Sequence, residues 1–550
     1  MVNNVESNNP QAASFLEKYG AAIVLLLGLF FYFLLILQYI RFSPYAHIPI
    51  LDARSYWQLA LDVAHNGSPL SSLTHSAPLY PLFLIACVYL FGPNIYAVYV
   101  IQLSLALITV LLIYQLWQQV FSPLHGFIGG LLSLFYLPFV YYITKLLPEI
   151  LAILILTGFL VMYTHRRLLD KLGGLILLGL VGGLAILVRS QFVVVILPLI
   201  ALLPFYRKAD APRNLTRWRV PTVLGCLILT LLPIGLYNYH NTDGFYVTAP
   251  NGGITFYEGN NPRATGTYSS VPGISDDVNL QLKDMVKVAS SHFGRPVTIW
   301  EADRYFWHKG LSYVKNNPVA WLKLELRKIV LLLNPKETFT IYDIYLERNK
   351  YLSYLFFFPI GWGIFLPLSL IGILDIFTTK RELIKDIFPL IIVGIVLISL
   401  LLIFFVLDRY RLLLLPVVAG FAAHGAIVLF TWWRKKHLLL AIAGSGVLLV
   451  GISATVMITK PIAPGAWSNL GSILVRLERF SEAEAALHKA LHTDPTNPIV
   501  INNMIAALLY QDKVKEALPL IETLSTYPQL SQQVAKYRQF ITKKGYHLSP

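Results

Sequence analysis

The sequence predicts an all-α, polytopic membrane protein with about eleven transmembrane helices, interfacial helices on its outer face and a small helical C-terminal domain. Hydrophobic residues make up 56% of the 550 residues and charged residues only 13%, which is far from the composition of a soluble domain. Apolar runs such as residues 21–40 and 96–117 reach the ~20 residues that span a bilayer. After Pro464 the composition changes abruptly to that of a soluble helical segment.

The net charge of +15 indicates a membrane topology rather than a nucleic-acid partner. The basic residues lie in short clusters between apolar runs, not on one soluble face. Because short loops rich in Lys and Arg stay in the cytoplasm, we place all of these clusters inside. They lie at residues 165–167, 207–219, 380–385 and 434–436.

Eleven crossings satisfy this constraint with the N-terminal tail, residues 1–20, in the cytoplasm. Residues 78–91 are too short to span the bilayer, so we expect there a short helix that packs in from the outer face. The first crossing is full length and follows no basic cluster, so it is predicted to be retained rather than cleaved. The crossings are predicted near residues 21–40, 95–118, 124–142, 149–164, 172–188, 191–206, 221–237, 352–377, 387–406, 411–430 and 438–458.

The predicted membrane domain covers residues 21–460, with outer loops at 41–78 and 238–350, and the domain at residues 461–550 emerges outside. That domain fits the tetratricopeptide pattern of about 34 residues, with a final helix near residues 532–542. Either the repeats form a docking surface for a protein or an acceptor, or they are a lid packed on the outer loop. The matching positions are Trp467, Leu470, Gly471, Ala483, Leu487, Ala490 and Pro495, then Pro498, Ile501, Met504, Leu508, Ala517 and Ile521.

Several ionisable residues lie at outer helix ends, where the positive-inside rule does not explain them. Charges at the edge of a membrane bundle are costly and are functional candidates by default. Asp52 begins a helical pattern that continues through Tyr56, so its simplest role is a helix cap, although a capping carboxylate can also act in catalysis. The full set is Asp52, Lys145, Glu149, Arg189, Asp408, Arg409 and Arg411.

Glu149 and three arginines are the strongest of these candidates. Glu149 follows Pro148 at a helix start, which suits the helix dipole, and it precedes a wholly apolar span. Guanidinium groups bind phosphate bidentately, and the alternative for Arg189, Arg409 and Arg411 is snorkelling to lipid headgroups. In the long loop, Asn260, Asn261 and Arg263 lie among Gly and Pro residues that predict tight turns, which could be structural or could cradle a polar ligand.

Together these motifs resemble the GT-C membrane glycosyltransferases, and most closely the bacterial branch related to protein O-mannosyltransferases and the lipid A aminoarabinose transferase. The resemblance covers roughly residues 20–460, and the repeats are an appendage found on some members. The motifs are the acid in the first outer loop, Ala-Pro-Leu-Tyr-Pro-Leu-Phe at residues 77–83, the Pro-Glu at 148–149, Gly-Gly-Leu-Ala-x-Leu-x-Arg at 182–189, GNNPRATG at 259–266 and Asp-Arg-Tyr-Arg at 408–411.

The resemblance implies a role for each candidate. Asp52 would be the catalytic base, and Glu149 would help to hold the acceptor or the base. Arg189, Arg409 or Arg411, with Lys145, would bind the phosphate of the carrier, while Tyr56, Asn260, Asn261 and Arg263 would contact substrate. Many members have Asp-Glu in the first loop, but here Ala53 follows Asp52. A lone carboxylate weakens the case for a metal, so no cofactor is expected, although a metal is not excluded.

The implied reaction is inverting transfer of a sugar from a polyprenyl phosphate to a hydroxyl of a protein, lipid or glycan. It would take place on the periplasmic face of a bacterial inner membrane, without nucleic acid. One alternative is a ligase that moves an oligosaccharide from a pyrophosphate carrier. Another is a non-catalytic scaffold or flippase, although a transporter would favour charges near mid-membrane.

Overall fold

A computed structural model describes residues 10–67, 77–205, 213–242, 244–275, 278–457 and 462–544. Within these ranges the chain is almost wholly helical, with no strand and one isolated bridge between Tyr136 and Ile360. The all-α fold class is therefore confirmed. Several segments of the predicted topology lie outside the described residues. They are residues 1–9 of the N-terminal tail, residues 68–76 of the first outer loop, the basic pair Arg207 and Lys208, and the junction at 458–461.

The helices of the membrane part follow the predicted order. They are α1 (Pro10–Phe42), α2 (Leu51–Asn66), α3 (Leu79–Phe91), α4 (Ile95–Val120), α5 (Pro123–Leu134), α6 (Leu137–Tyr142), α7 (Glu149–Thr164), α8 (Arg166–Leu169), α9 (Leu172–Val188), α10 (Val193–Leu202), α11 (Arg213–Thr242), α12 (Gly252–Gly259), α13 (Val278–Phe293), α14 (Ile299–Asn316), α15 (Pro318–Leu333), α16 (Ile344–Lys350), α17 (Trp362–Thr379), α18 (Ile384–Ile403), α19 (Asp408–Arg411), α20 (Leu415–Arg434) and α21 (Leu438–Met457).

Each predicted crossing contains an apolar helix. In the described part of the chain, seven helices are long and apolar enough to span a membrane, and shorter apolar helices occupy the other four predicted crossings. Two predicted boundaries are wrong. The crossing at 124–142 is divided into α5 and α6, because Pro138 has no backbone N–H to donate to Leu134 and its ring crowds that carbonyl group. The crossing at 352–377 begins only at Trp362, because Pro359 and Gly361 interrupt it.

Small residues bring α17 and α20 close together. A Cβ atom on Gly425 would lie 1.9 Å from the carbonyl oxygen of Leu368, and one on Gly372 would lie 2.2 Å from that of Phe421. Such glycines let membrane helices pack backbone to backbone. At the start of α20, the indole of Trp117 donates to the carbonyl oxygen of Pro416 at 2.8 Å. These contacts fix the end of α20 that follows the Asp-Arg-Tyr-Arg turn.

The contacts divide the chain into two compact units. The larger holds residues 1–37, 51–337 and 354–459. The smaller holds residues 460–550 together with 38–50 and 338–353, which the sequence assigned to the membrane domain. Its C-terminal helices are α22 (Pro464–Arg476), α23 (Phe480–Thr493), α24 (Pro498–Leu509), α25 (Val514–Ser525) and α26 (Ser531–Lys543).

Within the smaller unit, residues 338–353 pack directly on α22 and α23. Asn469 donates to the carbonyl oxygen of Ile341 at 2.9 Å, and the amine of Lys350 lies 5.1 Å from the ring centre of Trp467. Burial, and then the nearby carboxylate of Glu482, raises the pKa of Tyr351 to about 12. The sequence left two roles open for the C-terminal tail, a docking surface or a lid packed on the outer loop. These contacts show α22 and α23 packed on a segment of that loop. The tetratricopeptide assignment stays a prediction.

Candidate functional site

Asp52 lies in the first turn of α2 and pairs with Arg409. The guanidinium of Arg409 donates to the Asp52 carboxylate at 2.9 Å, and the two side chains are 15% and 14% exposed. The residue before it, Leu51, has a φ of +46°, a conformation that costs a residue with a side chain roughly 1–2 kcal/mol. Asp52 therefore forms a long-range ion pair at a strained helix start, and its helix-capping role stays a prediction.

A second ion pair joins the start of α7 to the end of α9. The guanidinium of Arg189 donates to the Glu149 carboxylate at 2.5 Å, and Glu149 is fully buried while Arg189 is 11% exposed. Glu149 is the first residue of α7, and Arg189 follows the last residue of α9. The partner that the sequence required for this lone acid is thus Arg189.

The ring of Tyr410 connects the two ion pairs. The guanidinium carbons of Arg189 and Arg409 lie 4.8 Å and 5.2 Å from the centre of this ring, within the range of cation–π attraction. We call Asp52, Glu149, Arg189, Arg409 and Tyr410 the acid–arginine cluster. Tyr410 was missed as a site residue, and its only sequence signal was its place between two arginines in the Asp-Arg-Tyr-Arg turn.

The acid–arginine cluster retains hydrogen-bonding capacity. Among the described residues, Oε2 of Glu149 and the Nε atoms of Arg189 and Arg409 are buried and have no hydrogen-bond partner. Buried polar groups are nearly always hydrogen-bonded, so each exception calls for an explanation. Two spare guanidinium donors and one spare carboxylate oxygen are the complement of a polar ligand that both accepts and donates hydrogen bonds.

Tyr56 lies one helical turn after Asp52 in α2 and packs on Tyr80, whose hydroxyl begins a chain of hydrogen bonds. The ring of Tyr56 meets that of Tyr80 edge to face at 5.5 Å, and the Tyr80 hydroxyl donates to Gln102 at 2.8 Å. Gln102 in turn donates to the carbonyl oxygens of Ile143 and Lys145, both at 2.8 Å. Burial, followed by the charge of Asp52, raises the pKa of the Tyr56 hydroxyl, which therefore stays protonated and can donate a hydrogen bond.

A cavity of about 380 Å³ opens beside Tyr410. Its polar lining comes from Ser190 and Gln191, which follow Arg189 directly, and from Asn251 and Thr255 near α12. Apolar side chains of α10 and α18 line the remainder, together with Trp307 of α14. The apolar residues include Val194, Leu397, Leu400, Leu401 and Phe404. The cavity can therefore hold a molecule that is polar near Tyr410 and apolar elsewhere.

Arg411 lies outside the cluster, and its predicted phosphate-binding role stays a prediction. Its guanidinium is 1% exposed, donates to Glu337 at 2.6 Å and to the carbonyl oxygen of Asn334 at 2.8 Å, and lies 4.9 Å from the ring of Trp362. These contacts hold the segment after α15. Lys145 is also buried, with its amine 4.4 Å from the ring centre of Tyr141.

The GNNPRATG segment forms a turn in which both asparagine side chains are hydrogen-bonded within the protein. Asn260 donates to the carbonyl oxygens of Phe256 and Ile403 and accepts from Trp321 and Lys328. The side chain of Asn261 accepts from the backbone N–H of Arg263 at 2.7 Å, and the Arg263 side chain is exposed. A Cβ atom on Gly259 would lie 1.9 Å from the carbonyl oxygen of Phe404, so this turn supports the wall of the cavity.

Within the described residues, no group of three His, Cys, Asp or Glu side chains could hold a metal ion. The acid–arginine cluster contributes two carboxylates, and each of them is paired with a guanidinium. The two carboxylates can accept a proton, and the two guanidinium groups can bind negative charge.

Comparison with known proteins gives one family match. The model of the dolichyl-phosphate-mannose-protein mannosyltransferase family matches residues 75–236, which confirms the resemblance to GT-C membrane glycosyltransferases over that segment. The segment contains Glu149 and Arg189 but neither Asp52 nor Arg409. A search of curated proteins finds no match.

Among solved structures, the chain is similar to the oligosaccharyltransferase of Archaeoglobus fulgidus. Against that enzyme tethered to an acceptor peptide containing the NVT sequon, identity is 16% and the TM-score is 0.45, with 86% of this chain and 59% of the other covered. Against its apo form, identity is 15% and the TM-score is 0.45, with 85% and 60% covered. The chain thus spans about three-fifths of the length of these structures.

Proposed function

Since residues 75–236 match a GT-C glycosyltransferase family, we propose that this membrane protein transfers a sugar from a polyprenyl phosphate to an acceptor hydroxyl. The observation that carries the proposal is the acid–arginine cluster, in which two arginines with spare donors meet at Tyr410 beside an amphipathic cavity. We propose that the reaction takes place on the periplasmic face of a bacterial inner membrane. Glu149 begins α7, whose other end adjoins the basic cluster at residues 165–167, and such basic clusters stay in the cytoplasm.

The phosphate of the donor would bind between Arg189 and Arg409. Guanidinium groups keep their charge and bind phosphate through paired N–H donors. Both are nearly excluded from water, at 11% and 15% exposure, which strengthens their interaction with an anion. As the sugar leaves, charge accumulates on the phosphate oxygens, and preorganised cations stabilise that charge without rearrangement.

The prenyl chain would follow the apolar wall of the cavity. Val194 of α10 and Leu397, Leu400 and Leu401 of α18 line this wall. Both helices lie at predicted membrane crossings, so a lipid tail could remain in an apolar environment while its phosphate reaches Tyr410. Burial of such a chain contributes about 0.8 kcal/mol per CH₂ group, which favours a lipid carrier over a soluble nucleotide sugar.

Asp52 would act as general base once the donor is bound. In the structure its carboxylate is occupied by Arg409 at 2.9 Å. A phosphate competes for that guanidinium, which leaves the carboxylate able to accept a proton from the acceptor hydroxyl. The acceptor oxygen then forms the new bond to the anomeric carbon, and the carbon–oxygen bond to phosphate breaks with its electron pair on the phosphate. Displacement from the opposite face inverts the anomeric centre.

Glu149 would hold Arg189 in position through their 2.5 Å contact, and its spare Oε2 atom would accept a hydrogen bond from the acceptor. Glu149 is thus a positioning residue for the phosphate site. Tyr56, with its hydroxyl kept protonated, would donate a hydrogen bond to a sugar or phosphate oxygen.

A ligase that uses a pyrophosphate carrier is the second candidate. The guanidinium of Arg411 donates hydrogen bonds to Glu337 and to the carbonyl oxygen of Asn334, outside the cluster. The cluster therefore offers two guanidinium groups. A sugar on a prenyl monophosphate carries one negative charge and a sugar on a prenyl pyrophosphate carries two, so two guanidinium groups can bind either donor. The family match at residues 75–236, which is to transferases named for a monophosphate donor, favours the monophosphate.

The test uses purified protein reconstituted in liposomes with a panel of polyprenyl-phosphate and polyprenyl-pyrophosphate sugars. Wild type is expected to release carrier phosphate from a monophosphate donor. Arg409→Gln should lose donor binding by roughly tenfold or more, as expected for one charge-assisted contact. Arg54→Gln is the matched control, because Arg54 is exposed on the same helix as Asp52. Turnover of pyrophosphate donors alone, or of none, would refute the proposal.

A further inference from the structure

A second candidate site lies on the outer-loop helices α13 and α14, away from the acid–arginine cluster. The end of α13 and one face of α14 enclose a groove of about 670 Å³. Its lining combines aromatic rings, positive charges and a hydroxyl. The residues that matter are Phe293, Arg304, Tyr305, His308, Lys309 and Ser312. We propose that this groove binds an acidic glycan.

The groove carries a net positive charge. Arg304 and Lys309 are exposed, and neither forms an ion pair within the described residues. The only carboxylate among the described lining residues is Glu301, which Arg295 neutralises at 2.7 Å. Unpaired cations in a concave surface attract anions and concentrate them, so a ligand of this groove carries negative charge.

Aromatic rings form the floor of the groove. The ring of Tyr305 lies 5.8 Å from that of Phe293 and 4.8 Å from that of His292, and Phe293 is 49% exposed. The amine of Lys309 lies 4.9 Å from the ring centre of Tyr257 and 5.5 Å from that of Tyr305.

The exposed ring of Phe293 and the half-buried ring of Tyr305 offer flat apolar surfaces against which the C–H faces of sugar rings can pack. The neighbouring cations bind carboxylate or sulfate groups, and the Ser312 hydroxyl can bond to sugar hydroxyls. Rings, cations and a hydroxyl in one groove match a chain of charged sugars better than a neutral glycan or a flexible peptide.

The groove is built on a packed platform. Beneath it, α13 and α14 share a buried cluster that includes Leu282, Met285, Ala289 and Phe306. Thr298 and Glu301 form a reciprocal capping box at the start of α14, which fixes the end of that helix. A site formed in advance loses little conformational entropy on binding.

One helix separates this groove from the cavity beside Tyr410. Trp307 of α14 lines the cavity, whereas Arg304 and His308 line the groove. The backbone N–H of Gly253 donates to Asp303 at 2.6 Å, which fixes α14 against α12. The groove therefore serves as the acceptor site next to the donor cavity. That acceptor role rests on the proposed function, whereas glycan binding does not.

The experiment measures binding of full-length protein in zwitterionic nanodiscs to a hexamer of galacturonate, a neutral maltohexaose and hexaglutamate. The galacturonate hexamer is expected to bind with the highest affinity. Arg304→Gln/Lys309→Gln should weaken that binding at least about tenfold. Lys283→Gln/Lys287→Gln removes the same charge from exposed positions of α13 outside the groove, and should change it less than about twofold.

Several results would overturn the proposal. These are the absence of galacturonate binding, equal losses in the two double variants, equal binding of maltohexaose, or equal binding of hexaglutamate, which would indicate an acidic peptide. Loss of galacturonate binding in phosphatidylglycerol nanodiscs would assign the groove to lipid headgroups. Asp52→Asn should retain glycan binding while it loses sugar transfer. Wild-type protein that binds galacturonate but transfers no sugar from any donor would refute the proposed function and leave the groove proposal intact.

Discussion

Variants of the ion pair between Glu149 and Arg189 should distinguish a structural role of Arg189 from a role in donor binding. Glu149 is fully buried and Arg189 is 11% exposed, so Arg189→Met leaves an uncompensated carboxylate at a buried helix start. Removing one partner of a buried pair costs about 3–5 kcal/mol of folding free energy. The double variant Glu149→Gln/Arg189→Met removes both charges, and we expect its loss to fall to about 1–2 kcal/mol.

Donor affinity should follow a different pattern from stability. Each variant that lacks Arg189 loses one charge-assisted contact worth about 1.5–3 kcal/mol, which corresponds to roughly 10- to 150-fold in Kd. Glu149→Gln leaves the guanidinium in place, and the amide oxygen can still accept its hydrogen bond and position it, so this variant should retain donor binding. Arg166→Met is the control for stability, because its pair with Asp386 is exposed and should contribute no more than about 1 kcal/mol.

Unfolding in mixed detergent micelles and binding of a polyprenyl-phosphate sugar supply the two measurements. If the double variant is as unstable as Arg189→Met, the unpaired Glu149 carboxylate is not the cause of the instability. The phosphate assignment fails if the double variant binds donor as tightly as wild type, since only a structural role would then remain for Arg189.

Three further outcomes follow from the geometry. Arg411→Met should lower the free energy of unfolding by about 3–5 kcal/mol, because it leaves the buried Glu337 carboxylate without its partner. The Kd for donor should stay unchanged in the folded fraction, and a selective loss of donor affinity would contradict this. At Leu51, where φ is +46°, Gly should give a more stable protein than Ala by roughly 1 kcal/mol, the reverse of the usual helix order, and thermal unfolding of both variants checks it. The hydrogen bond from Arg295, then that from the backbone of Thr298, lowers the pKa of Glu301 to about 2. The ionised Glu301 carboxylate should therefore stabilise α14 fully above about pH 4.5 and lose this effect as the pH falls through about 2. Hydrogen exchange of the first turn of α14 measures this, and an identical pH response in Glu301→Gln would contradict it.

Apolar length and charge distribution carried most of the fold prediction. Each predicted crossing contains a helix, because a run of apolar residues without charges has few other stable structures in a membrane. The boundaries near Pro138 and Pro359 were missed, although a proline inside a helix removes a backbone hydrogen bond and breaks or bends the helix. The contacts between residues 338–353 and α22 could not be predicted, because they join segments far apart in the chain.

The candidate site was predictable in its charges but not in its pairing. The sequence singled out Asp52, Glu149, Arg189 and Arg409 because unexplained charges at helix ends require partners. Arg411 could have been separated from Arg409, since two residues along a helical turn rotate a side chain by about 200°. The role of Tyr410 depends on arginines from two different turns, and no local sequence pattern predicts such a contact.

The most direct test of the proposed function is the rate of carrier-phosphate release by Asp52→Asn in liposomes. Asparagine keeps the shape of the side chain and can still accept a hydrogen bond from Arg409, so folding and donor binding should match wild type. Loss of a general base should lower the rate by about 10²- to 10⁴-fold. A variant that binds donor normally and releases carrier phosphate at the wild-type rate would contradict the assignment of Asp52 as the base.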